Sequence, residues 1–255
     1  SIGYRKFIRD NPELFSEADV MWGGGASEGS VFVELITSGE AWGRGPTYSN
    51  IHGGRKRQVD APAWRHIKML ATLVDDTGNE VLIDGFYDDV VPLTEDEEAI
   101  LREAAEDYDV TVAAERLGVA RFISDDPYEV QKLSRYGQSM NLDGIWAGNM
   151  FEGGSGAILP NRIVSKHNFR YVPNQTGPDI VAKLRAHLDK HGYEDVEINV
   201  VGDVPWAKMD DNNELAMAVR EMRETFGAGN PEPILEETIL GGYWPAYLFA
   251  GDVYD

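Results

Sequence analysis

The 255-residue chain contains no cysteine. Disulfides, thiolate metal sites and thiol nucleophiles are therefore excluded, and any metal ion must be held by His, Asp or Glu. Basic side chains are also scarce: 23 Lys and Arg stand against 44 Asp and Glu, a formal net charge of −21. Such an excess opposes contact with nucleic-acid phosphates or anionic lipid, so neither is an expected partner. No apolar run approaches the roughly 20 residues of a membrane span, and no basic stretch leads into an apolar one as in a secretory signal. A soluble, cytoplasmic protein is the expectation. Phosphate-loop and Ser-elbow motifs are missing too. The glycines of "GGGASEG" (23–29) run into a strand-like segment, with neither the Lys-Ser/Thr ending nor the helix that a phosphate site needs.

What is present is enough apolar material for a core, 42% of residues with 10% aromatic. The length admits one large domain or two small ones. "YRKFIRDNPELF" reads as a short helix stopped before Pro12, and "ADVMW" as a buried strand. "SVFVELIT" (30–37) is β-branched and aromatic, hence a strand. The Gly-, Pro- and Asn-rich segment from residue 39, including 39–51, reads as a long loop. Pro62 opens a helix whose expected buried stripe is Trp64, Ile67, Leu70 and Leu73. "NEVLIDGFYDDV" reads as a short strand with a turn, and Thr94 with Glu97 has capping-box spacing at the start of a further helix.

Broken helical pieces fill 110–140, after which "LDGIWAG" and "IVSKHNFRYV" read as strands flanking the glycine-rich "EGGSG". Thr176, Pro178 and Gly192 bracket a helix with Ile180, Leu184 and Leu188 inside, followed by the strand "DVEINVV" and a separate helix in 212–227. The order strand, helix, strand, strand, helix, strand across 30–201 is the split βαβ pattern of a ferredoxin-like sandwich carrying an insertion. The fold class expected is mixed α/β (α+β).

Local chemistry is sparse. His187 and His191 lie four apart on a helix and could share a metal, but the zincin carboxylate between them is absent and a His near a helix C-terminus is favoured electrostatically. Asp84, Asp88 and Asp89 could meet a hard cation, yet lack the spacing of an EF-hand and read better as a solvated acidic turn.

Taken together, "SIGYRKFIRDNPELFSEADVMWGGG", "PAWRHIKMLATLVDDTGNEVLIDGFYDDV", "GAILPNRIVSKHNFRYVPNQ" and "GGYWPAYLF" resemble the co-catalytic zinc peptidase family of carnosinase-type dipeptidases, glutamate carboxypeptidase, succinyl-diaminopimelate desuccinylase and aminoacylase. The resemblance covers nearly the whole chain apart from 39–51, and is most specific in "NFRYVPNQ" with the helix after it. It implies a ferredoxin-like βαββαβ lid at 30–208 with an insertion at about 81–140, flanked at 1–29 and 209–255 by fragments of the catalytic α/β domain. It also implies amide hydrolysis of small peptides or N-acyl amino acids with zinc or another divalent metal, and a homodimer formed through the lid.

Site residues follow the resemblance position by position. The family's Glu-Glu pair precedes an Ile-Gly, whereas Ile2-Gly3 here is preceded only by Ser1. Gly23 stands where the strand "ADVMW" would lead into an acidic metal ligand. This polypeptide is accordingly not expected to cage the metals unaided, and the chain is read as part of something longer or as a relative without catalysis that kept a dimerising or ligand-binding role. His52 falls on the family's His-Ser motif, which stabilises the tetrahedral oxyanion in the neighbouring subunit; an ordinary exposed loop His is the other reading. Arg170 matches the Arg that binds the substrate carboxylate, against a strand Arg paired with a surface acid. Ala157 stands where dipeptidase-like members carry Thr, and Tyr243 where they carry Ser near the substrate's carboxylate.

Overall fold

The structure, a computed structural model, describes residues 2–15, 27–208 and 246–248, with isolated positions between 214 and 225. The strand expected at 18–22, Gly23, Tyr243 and most of the helix expected in 212–227 lie outside the described residues. The chain divides into two compact units, one of residues 30–90 and 138–203, the other of 1–29, 91–137 and 204–255.

The first unit is built on a four-stranded sheet of order β3-β5-β1-β6, with β1 at Gly29–Ser38, β3 at Ser139–Trp146, β5 at Arg162–Tyr171 and β6 at Glu197–Val204. Helix α3 (Pro62–Leu70) falls between β1 and β3 in the chain, and α7 (Gly177–Lys190) between β5 and β6. With the two-residue strands β2 (Ile51–His52) and β4 (Ile158–Leu159) set aside, this is the ferredoxin-like order the sequence predicts. Along β5, Ile163, Ser165, His167, Phe169 and Tyr171 are all buried on one face, while on the other Arg162 and Lys166 are exposed, Arg170 is half-buried, and Val164 and Asn168 are buried. Antiparallel pairing of β3 with β5 runs from Ser139 opposite Arg170 to Trp146 opposite Val164, with a bulge between Leu142 and Gly144.

Helix α7 forms as its signals require. Thr176 caps it by accepting the Asp179 N–H at 3.3 Å, Pro178 sits in the first turn, and Ile180, Leu184 and Leu188 are buried. Helix α3 forms where expected but turns a different face inward. Leu73, just past the helix, is fully buried as expected, but Trp64 is 59% and Ile67 45% exposed, and His66 and Met69 are fully buried in their place. The stripe is displaced because His66, polar by composition, is satisfied inside: Nδ1 meets the Thr37 hydroxyl at 2.8 Å and Nε2 the Ser165 hydroxyl at 2.9 Å.

Two further expectations change. Residues 79–90 hold no named strand: Val74 and Val81 form one isolated bridge, and a turn with Gly85 at φ 76° follows. The segment 39–51 is not an open loop. It starts as the short helix α2 (Gly39–Trp42), capped by Ser38, and ends in β2. Gly39 permits this path, since a Cβ there would lie 2.0 Å from the Pro46 carbonyl oxygen.

In the second unit, α1 spans Ile2–Asp10, α4 Glu95–Glu106, α5 Val110–Leu117 and α6 Pro127–Tyr136. The capping box at α4 is complete, with the Thr94 hydroxyl accepting from Glu97 N at 3.2 Å and Glu97 Oε2 accepting from Thr94 N at 2.8 Å. Helices α4 and α6 are joined by the Tyr128 hydroxyl, which donates to Glu98 Oε2 at 2.6 Å. Among the described residues no helix is long and apolar enough to cross a membrane.

Candidate functional site

His52 owes its place to pairing across more than a hundred residues. Ile51 and His52 lie antiparallel to Leu159 and Ile158, and the Gly53 N–H donates to the Ala157 carbonyl at 2.7 Å. Asn161, just beyond β4, ties down the preceding segment: its carbonyl accepts the Gly39 N–H at 2.9 Å and its own N–H reaches Asn50 Oδ1 at 3.2 Å. His52 and Ala157, over a hundred positions apart in the chain, are thereby brought side by side.

The imidazole of His52 is exposed, yet its tautomer is set. Nδ1 accepts the Gly54 N–H at 3.1 Å at the start of a 3-10 turn over Gly53–Arg57. A nitrogen that accepts carries no proton, so the neutral ring bears its hydrogen on Nε2. His52 thus presents an N–H donor, the form required to meet developing negative charge on oxygen.

Arg170 lies at the end of β5, opposite Ser139 and half-buried. Its Nε–H donates to Asn168 Oδ1 at 3.1 Å. Farther along the same face, Glu34 accepts from Asn199 Nδ2 at 3.0 Å and lies 3.5 Å from Lys166 Nζ. The Asn199 hydrogen bond, with help from Lys166, holds the Glu34 carboxyl below its usual pKa. This face thus carries the Glu34, Lys166 and Asn199 group as well as Arg170, with the Trp146 ring beneath Lys166 Nζ at 5.6 Å. Asn168 is a neighbour that sequence reasoning passed over, although the i, i+2 spacing in "NFR" puts it on Arg170's face.

Neither metal-like cluster assembles. The His187 and His191 rings stack at 4.3 Å, and His187 Nε2 is engaged with the Thr72 hydroxyl at 3.2 Å. Burial lowers the His187 pKa. Asp84 is paired with Lys190, and Asp89 with Lys183. Among the described residues no three His, Asp or Glu side chains are grouped to hold a metal ion, so these residues do not by themselves fit one, and no chemical step is derived through a metal here.

A concavity of about 550 Å³ lies at the start of α3, lined by Trp42, Lys56, Trp64, Arg65 and Tyr193 among others. Its central cation is already committed. Arg65 is bonded to both carboxylate oxygens of Asp195 and lies 4.9 Å from the Trp42 ring centre and 4.7 Å from that of Tyr193.

Comparison with known proteins adds homology to this geometry. The chain is 31% identical over 169 residues to a Beta-Ala-His dipeptidase of Homo sapiens, which covers 63% of this chain and 32% of that protein. It is 29% identical over 144 residues to a Cys-Gly metallodipeptidase of Schizosaccharomyces pombe, 56% of this chain and 29% of that one. Among solved structures, an M20 family metallo-carboxypeptidase from Sulfolobus solfataricus superposes with a TM-score of 0.78 at 27% identity, covering 96% of this chain and 56% of the other. The chain thus spans about a third of the length of the curated relatives it matches. No family model matches it.

Proposed function

The chain is a homologue of the carnosinase-type M20 metallopeptidases, and on that premise we propose that it is the lid-bearing part of a metal-dependent dipeptidase. Unit 30–90 with 138–203 is the lid, and the remainder belongs with the catalytic domain. The substrate is a small peptide or N-acyl amino acid with a free carboxylate. A divalent metal accompanies the reaction, as the names of the relatives suggest, and its ligands come from outside the described residues.

In this reading His52 donates its Nε2–H to the oxyanion that forms as the amide carbonyl is attacked, across a lid-mediated dimer into the partner's site. Arg170 anchors the substrate carboxylate with its terminal nitrogens. Ala157, beside His52, offers a methyl group where dipeptidase-like members carry a Thr hydroxyl, and Tyr243 likewise replaces a small Ser, so the acyl substrate preferred differs from theirs. The observation that carries the proposal is the Gly54 hydrogen bond to His52 Nδ1, because it selects the one neutral tautomer that can donate outward.

The test is hydrolysis of β-Ala-His and Cys-Gly by the metal-loaded protein. His52→Ala lowers kcat by about 10²–10³ with KM little changed, as expected for a lost oxyanion donor. Chelation of the metal abolishes turnover. An unchanged kcat in His52→Ala sinks the assignment, and sedimentation of a monomer sinks the action in trans.

A further inference from the structure

Arg170 is oriented through an amide. Its Nε–H donates to Asn168 Oδ1 at 3.1 Å, the Asn168 Nδ2 donates in turn to Asp143 Oδ1, and the same carboxylate oxygen accepts from Asn141 Nδ2 at 2.6 Å. Chemistry fixes the direction of this chain. A guanidinium only donates and a carboxylate only accepts, so the amide between them can face only one way.

Asp143 is the extra, unpaired residue of the bulge in β3. Asn141 stands opposite Asn168 and Leu142 opposite His167, but Gly144 rather than Asp143 is opposite Lys166. Asp143 lies two residues beyond Asn141 and so on the same face of the strand, where its carboxylate meets the amides of Asn141 and Asn168.

We propose that Asn168 and Asp143 are positioning residues that set the plane of the Arg170 guanidinium for a substrate carboxylate; this deepens, and rests on, the role given to Arg170 above. The interposed amide has a physical purpose. A carboxylate placed against Nε would bring a negative charge to the spot where an anionic substrate must bind, whereas the neutral carbonyl oxygen of Asn168 takes the Nε–H without adding one. Asp143 acts at one remove, locking the amide so that its oxygen cannot swing away. With Nε engaged, a substrate carboxylate meets the end-on edge of the guanidinium, and a substrate lacking that charge gains nothing from the arrangement.

The experiment compares a dipeptide with a free C-terminal carboxylate and its C-terminal amide on the metal-loaded protein, and follows hydrogen exchange of the Arg170 Nε–H by NMR. Asn168→Ala raises KM for the carboxylate substrate about tenfold, the worth of one charge-assisted hydrogen bond, leaves kcat within about twofold and the amide substrate unaffected, and speeds Nε–H exchange. Asp143→Ala, at an exposed position that puts folding at little risk, moves the same readouts in the same direction by less. Asn168→Asp sets a carboxylate against Nε and against Asp143, and raises KM for the carboxylate substrate; adding Asp143→Asn restores a donor opposite an acceptor and slows Nε–H exchange again, while the charge left beside Nε keeps that KM raised. Unchanged KM and exchange in Asn168→Ala and Asp143→Ala, or a double variant whose KM for the carboxylate substrate returns to that of the unsubstituted protein, overturns the proposal. If Arg170→Ala fails to erase the preference for carboxylate over amide, the role of Arg170 itself is wrong. Nε–H exchange in Asn168→Ala still decides whether the relay positions the side chain.

Discussion

A single backbone N–H decides what His52 can do. With Gly54 donating to Nδ1, the ring is fixed in rotation and in tautomer, and residue 54 has little room for anything but hydrogen: a Cβ there would lie 3.0 Å from Nδ1 and 3.2 Å from Cε1. Gly54→Ala therefore pushes the imidazole aside by a few tenths of an ångström without touching the core. On the proposed role, kcat falls about tenfold, equivalent to roughly 1.4 kcal/mol of transition-state stabilisation, while the melting temperature stays within about 2 °C. Steady-state kinetics and a thermal melt on the same preparation check both halves. The residue scale is also where the sequence was least readable. "IHGG" gives no sign that His52 pairs with Ile158, because that contact closes over more than a hundred positions, and Asp143 has no local signature of a bulge.

Elements whose signals are local were legible, and those decided by tertiary partners were not. The capping box at Thr94 and Glu97 and the Thr176, Pro178 and Gly192 brackets of α7 form as written, since each is a contact within a few residues. The face of α3 was not legible, because a reading by hydrophobicity cannot know that Thr37 and Ser165 wait inside for His66. At α4 the consequence is measurable. Thr94→Ala removes the acceptor for Glu97 N and costs about 1 kcal/mol, lowering the melting temperature by about 2–4 °C. Glu97→Ala costs more, about 2 kcal/mol or above, because the buried carboxylate also takes Lys208 Nζ at 2.8 Å in addition to the Thr94 N–H. Chemical denaturation should rank the two variants in that order; equal losses would mean that the Lys208 contact adds nothing.

At the scale of the whole molecule the deepest feature is a line of polar groups between sheet and helix: Thr37, His66, Ser165 and His167, linked by contacts of 2.8, 2.9 and 2.8 Å. Burial pushes both imidazoles down to about 4. In the unfolded chain each titrates near 6.5, so below that pH the unfolded state binds more protons than the folded one and stability falls as pH falls. The contribution is fully present above pH 6.5, declines between 6.5 and 4, and is flat below 4; a separation of about 2.5 units amounts to about 3 kcal/mol per imidazole at most. Carboxylates act in a different window. Asp75, held down to about 2 by the backbone N–H of Glu80 and the Thr77 hydroxyl, withdraws its contribution only as pH drops below about 4. Urea unfolding followed from pH 7 to 4.5 should accordingly show a continuous loss of stability. His167→Gln, which keeps a polar partner for Ser165 but cannot take up a proton, should remove about half of the slope. A stability flat across that interval, or a slope unaltered in His167→Gln, would mean that the buried pair is charged in the folded protein and that the neutral chain from Thr37 to His167 is misread.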